Sequence, residues 1–141
     1  MKVVSNFKNI LFGLIILFIF GSVAYSVEYR GVNTTHYEGI YTKKKVREAL
    51  AVAKEQACLN AFKKYIQGLE ESKRMIFESL KDQIFQNIND YMVCQTIVEE
   101  AIDKKDKKVS VVMKANIDET RLDIEITKSS KVFDSTTGEK S

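Results

Sequence analysis

Lys43–Ile66 reads KKKVREALAVAKEQACLNAFKKYI, and this stretch decides the fold. Val46, Ala49, Leu50, Ala53, Ala57 and Ala61 recur at helical spacing and share one stripe. Most of that stripe is alanine, so a flat neighbour can approach closely. A helix lying on a sheet suits such a surface better than a coiled coil, whose a and d positions take bulky residues. Thr42 stands where an N-cap belongs, and Gly68 falls just past the last periodic residues, where a C-cap belongs.

The flanking segments supply the sheet. Upstream, Val27–Thr35 (VEYRGVNTT) is rich in β-formers and reads as a strand, with Gly31 marking a bulge or a close backbone approach. His36–Tyr41, containing Gly39, connects it to the helix. Downstream, Ser72–Asp90 reads as a second helix, with Ile76, Leu80, Ile84 and Ile88 at i+4 spacing and Phe77 and Phe85 beside them. Tyr91–Ile102 and Lys108–Asp118 then read as two strands around the polar loop Asp103–Lys107, a hairpin. The second of these alternates, with Val109, Val111, Met113, Ala115 and Ile117 on one face. Symmetric pairing about the loop sets Val93, Ile97 and Ala101 opposite Ile117, Met113 and Val109, as the buried face.

In that register Cys94 points away from the helices, while Cys58 sits on the flank of the first one. A Cys58–Cys94 bridge therefore stays open as a possibility, since the two Cβ vectors must converge. A slip of one residue would reverse the judgement on Cys94. Leu122, Ile124 and Ile126 alternate with Asp123, Glu125 and Thr127, which reads as a short last strand. Residues 128–141 read as a disordered polar tail.

The N-terminus supplies an address. Met1–Asn9 carries Lys2 and Lys8 and no acid, Ile10–Phe20 is apolar, and Gly21–Ser26 offers small residues at the −3 and −1 positions of a cut between Ser26 and Val27. Residues 1–26 are therefore read as a signal peptide and 27–127 as a single domain, exported, with the periplasm as its destination. The rival reading is a retained anchor, in which case the protein would meet the membrane there. Ile10–Tyr25 falls short of the about 20 apolar residues a spanning helix needs. The chain has 22 Lys and Arg against 19 Asp and Glu. Both basic residues of the first 26 go with the signal, so the remainder is near neutral and lacks the overall basicity of a nucleic-acid binder. The runs Lys43–Lys45 and Lys104–Lys108 read as a solvated helix start and a polar hairpin loop.

Motifs that carry chemistry are missing. The single histidine, His36, has no ligand-spaced partners. Neither cysteine has a catalytic signature, and neither a nucleophile elbow nor a glycine-rich phosphate loop is present. Glu99 and Glu100, adjacent in a strand, point to opposite faces and cannot act as a paired acid and base. No enzymatic activity, cofactor or metal is expected.

The segment Arg47–Leu69 (REALAVAKEQACLNAFKKYIQGL) resembles the A-x-x-x-A helix of the FlgT-type N-terminal domain. That domain belongs to a periplasmic flagellar assembly factor and recurs in small outer-membrane lipoproteins. Tyr91–Glu100 and Lys107–Ile117 resemble its closing strands. The resemblance implies flagellar basal-body or envelope proteins as partners and brings no catalytic residues. Lipoprotein relatives carry an acylated cysteine after the signal, and no cysteine stands there in this chain.

The expected fold is α+β: two helices on one face of a three- to four-stranded antiparallel sheet, in the order β-α-α-β-β-β. The other sheet face is open, and Cys94, Thr96, Val98, Val112 and Asn116 are expected on it as a contact surface. The expected function is that of a noncatalytic interaction or assembly module of the envelope. The alternative is a periplasmic carrier of a small ligand or lipid, its pocket between helices and sheet lined by Met75, Phe77, Phe85 and Met113.

Overall fold

The structure, a computed structural model, describes residues 26–138. Residues 1–25 of the expected signal peptide lie outside the described residues. The elements run β1 (Ser26–His36), α1 (Lys43–Gln67), α2 (Glu71–Gln86), a 3₁₀ turn (Ile88–Asp90), β2 (Met92–Asp103), β3 (Lys108–Asp118) and α3 (Glu119–Gly138). The class is α+β as expected, with three strands in the sheet. Both pairings are antiparallel and the strand order is β1-β3-β2, so β3 is central and β1 and β2 are edges.

α1 forms because its stripe matches the sheet beneath it. Val46, Ala49, Ala53, Ala57 and Ala61 are all buried, against Val109, Val111, Met113, Ala115 and Ile117 of β3. Gly31 on β1 lets the backbones meet: a Cβ placed there would collide with the Ala57 carbonyl oxygen and lie 2.5 Å from the Ala61 nitrogen. The glycine is thus a close-approach point and β1 pairs with β3 through it without interruption. Thr42 caps α1, its Oγ1 accepting from the Lys45 amide at 3.2 Å. Gly68 closes the other end in ordinary right-handed backbone, φ −81°.

Two apolar clusters lie along α1. One joins Phe62, Phe77, Ile84, Ile117 and Leu122, and the other joins Tyr37, Val46, Ala53, Val109 and Met113. Cys58 and Cys94 pack against both. In the first cluster the rings of Phe62, Phe77 and Phe85 stand 5.7–6.3 Å apart and tie α2 to α1.

Two segment-level expectations are corrected. The β2–β3 register is not symmetric: the expected Ile97–Met113 pair is present, but Met92 rather than Val93 pairs with Ile117 and Ile102 rather than Ala101 with Val109, with irregularities between Val93 and Thr96 and between Ile97 and Glu99. Each irregularity changes the side-chain parity of β2. Val93 and Ala101 therefore face outward, paired with Asn116 and Ser110, while Cys94 turns toward α1 and forms a disulfide with Cys58, Cα–Cα 5.9 Å.

The second correction concerns the C-terminal segment. Leu122–Ile126 is not a strand, nor is 128–138 a disordered tail, because both belong to α3, which runs to Gly138; the last three residues of the expected tail lie outside the described residues. The Asp118 carboxylate accepts from the Arg121 amide at 3.0 Å, an N-cap that turns the chain out of β3. Leu122 and Ile126, one helical turn apart, are buried, while Ile124 between them is exposed. An apolar residue at every second position fits one side of a strand, but the pair at i and i+4 fits a helix equally well, and the cap decides.

Candidate interaction surface

The helices cover the sheet unevenly. α1 lies over β1 and β3, and beyond Met92, buried with Phe62 and Ile66 at the start of β2, it holds the inner side of that strand by the Cys58–Cys94 bridge and a Lys54–Glu100 ion pair at 3.5 Å. β2 consequently leaves Ile97 and Ile102 exposed on the helix side, while Val93 faces the outer side and Val98 sits in the second irregularity, all four more than two-fifths exposed. These four stand on an edge strand whose outer backbone row has no partner in the sheet. Edge strands usually carry charge or proline to discourage pairing. Here Glu99 and Glu100 supply charge in mid-strand, and the two irregularities bend the edge.

The outer sheet face is open. Val32, Val112 and Glu99 form its middle row across β1, β3 and β2, and Arg30, Lys114 and Thr96 form the next. Lys114 also pairs with Glu28 at 3.3 Å, and Thr34 shares a 2.8 Å hydroxyl–hydroxyl bond with Ser110. Of the expected surface residues, Thr96, Val112 and Asn116 lie on this face. Val98 sits unpaired inside the second irregularity, at the edge. Cys94 is the exception already noted. Ser26 and Val27, the expected cleavage residues, open β1 and pair with Asp118 and Ile117.

Met75, Phe77, Phe85 and Met113 do not line one cavity. Phe77 is in the first core cluster, Met113 in the second, and Met75 points to solvent, 70% exposed. A groove of about 550 Å³ opens instead beside the disulfide, between α1 and the start of β2, where Glu55, Asn89 and Gln95 mix with Leu59 and Met92.

The perturbed ionisable groups lie elsewhere. Burial, reinforced by the Glu119 and Asp123 carboxylates, holds the Tyr65 phenol well above its ordinary range. Burial also lifts Tyr91, and a 2.8 Å hydrogen bond to Asp123 raises Lys73. Tyr65, Lys73 and Tyr91 mark the packing of α3 against the rest. Among the described residues no group of three or more His, Cys, Asp or Glu side chains could hold a metal ion, and no helix is long and apolar enough to cross a membrane. No family model, curated protein or solved structure matches this chain.

Sequence reasoning placed the contact surface on the sheet face and missed the edge. The signal was present: MVCQTIVEEAID has apolar residues at both parities, which a strand buried on one side does not need.

Proposed function

We propose that this protein is a noncatalytic interaction module of the bacterial cell envelope that binds a protein partner along β2 and the adjoining sheet face. The observation that carries the reading is the set of four exposed apolar side chains on the edge strand β2, Val93 on the outer face, Ile97 and Ile102 on the helix side and Val98 at the irregularity between them, beside a backbone row with no partner among the described strands. Such an edge can accept an added strand, the backbone bonds supplying affinity and alternate side chains specificity. Export is supported by the signal-like N-terminus and by the paired cysteines, since disulfides persist in oxidising compartments. The resemblance of Arg47–Leu69 to the FlgT-type domain makes flagellar basal-body and outer-membrane proteins the partner class to test first.

The test is crosslinking in intact cells through a photoreactive residue at position 97, exposed on the same strand, with the N-terminus of the captured chain read at the same time. A discrete envelope partner and a chain beginning at Val27 are expected. Val98→Asp with Val112→Asp should abolish capture while the circular dichroism spectrum is kept. Undiminished capture by the folded double variant rejects this surface.

A further inference from the structure

The two lysine runs, far apart in sequence, meet at one end of the molecule. His36 at the end of β1 pairs with Lys108 at the start of β3. The next residue, Tyr37, donates its amide to the Lys107 carbonyl at 2.9 Å. The Lys104 ammonium stands 4.6 Å over the ring of Tyr41, joining the hairpin tip to the β1–α1 loop. Lys45 reaches back to the Glu38 carbonyl at 2.9 Å. Lys43, Lys44, Lys45, Lys104, Lys105, Lys107 and Lys108 are thus gathered about the β1–α1 loop and the hairpin tip, and all but Lys108 are exposed.

The acids at this end offset only part of that charge. Asp106 pairs with Lys108 at 3.5 Å and Glu48 with Lys44 at 4.0 Å. Asp103 accepts from the Lys105 and Asp106 amides in the hairpin turn, and Glu38 adds one more carboxylate in the β1–α1 loop, so four acids face seven lysines. Stability does not explain the arrangement, because the first turn of α1 contains no acid and its three lysines oppose the helix dipole. In the loop between them, Ile40 is 83% exposed, next to the partly exposed Tyr41 over which Lys104 stands. A lone exposed isoleucine is ordinary; one next to a tyrosine, in a loop that joins two lysine runs, has the chemistry of a lipid–water interface.

We propose that this end docks on an anionic lipid surface, with Ile40 entering the acyl boundary, Tyr41 at headgroup level and the lysines over lipid phosphates. Ammonium groups on long stems suit headgroup phosphates as point charges, tyrosine favours the interfacial layer, and an apolar tip has no use on a purely aqueous polyanion. The described chain begins at Ser26, at the other end of the 11-residue strand β1, about 33 Å away. The lipid contact does not depend on the partner contact proposed for β2.

The chain contains no tryptophan, so Ile40→Trp places a single fluorophore at the tip. The full-length variant is titrated with phosphatidylglycerol–phosphatidylcholine vesicles, pure phosphatidylcholine vesicles and a single-stranded oligonucleotide. The expected result is a blue-shifted emission with the anionic vesicles alone, quenched by acyl-chain quenchers and diminished by salt. Adding Lys104→Glu and Lys105→Glu should weaken the partition at least about ten-fold, since each lysine near an anionic surface contributes several-fold. No shift on anionic vesicles overturns the proposal, as does an equal shift on neutral ones. A shift with the oligonucleotide and none with vesicles replaces the lipid by a nucleic acid. Because the N-terminal segment carries no indole, its own binding to vesicles is silent in this readout.

Discussion

Replacing Gly31 by alanine adds one methyl group at the place where β1 and α1 touch. Its backbone φ is not in the left-handed region, so alanine meets no torsional penalty there and the whole effect is steric. The added Cβ collides with the Ala57 carbonyl oxygen and lies 2.5 Å from the Ala61 nitrogen and 2.8 Å from the Ala57 carbonyl carbon. All three are backbone atoms, so no side-chain rotation relieves the contact, and α1 must back away from β1. A retreat of more than about 0.5 Å already forfeits a quarter or more of the dispersion attraction along the interface. That interface is the one holding Ala53, Ala57 and Ala61, each fully buried. Overpacking of a relaxed core costs about 1–3 kcal/mol, and a backbone-to-backbone clash belongs at or above the top of that range, at about 3–5 kcal/mol. The measurement is urea unfolding followed by circular dichroism with the disulfide intact, where the loss should move the midpoint down by about 1 M or more. Gly68→Ala is the control, since a Cβ there meets its nearest atom, the Tyr65 carbonyl oxygen, at an ordinary 3.4 Å. If Gly31→Ala costs less than about 1 kcal/mol, the strand and helix are not in the contact that organises this fold.

The disulfide closes a separation of 36 residues, so Cys58→Ser with Cys94→Ser should lower stability by about 3–4 kcal/mol in the chain-entropy view, read as a fall in urea midpoint. Hydrogen exchange in the same variant should rise first in β2, which α1 holds by little besides that bridge and the Lys54–Glu100 pair. Leu122→Ala should cost about 2–5 kcal/mol by emptying a buried site, whereas Ile124→Ala stays within about 0.5 kcal/mol as a surface change. Equal losses at the two positions would restore the strand reading of this segment. The raised phenols of Tyr65 and Tyr91 make stability depend on alkali. Below about pH 10 the phenols are neutral in both states and the term is constant. Above it the unfolded chain ionises first, so stability falls as pH rises. Tyr65→Phe should flatten that slope, and ultraviolet titration should show a late tyrosinate in the wild type. An unchanged slope would remove Tyr65 from the account, leaving Tyr91 and Lys73.

The parts of this fold legible in the sequence are those where periodicity meets one environment. α1 has a single stripe facing a sheet, β3 is central and buried on one side, and both were readable to within a residue or so at their ends. β2 was not, because an edge strand with two irregularities changes parity twice, and alternation read across such a break assigns the wrong face to whatever follows it. Cys94 shows the consequence, for the same residue is outward in a symmetric register and disulfide-bonded in the real one. α3 failed for a different reason. Leu122, Ile124 and Ile126 satisfy the strand template, while the information that selects a helix sits four residues upstream of Leu122, in the side chain of Asp118. The lysine runs were visible in sequence, but their meeting was not, since it depends on the hairpin tip and the start of α1 falling at the same end of the sheet. Local patterns thus identified the buried surfaces well, because burial constrains every residue of a stripe. They identified contact surfaces poorly, because an exposed edge or a charged end is assembled by topology from segments that carry no shared period.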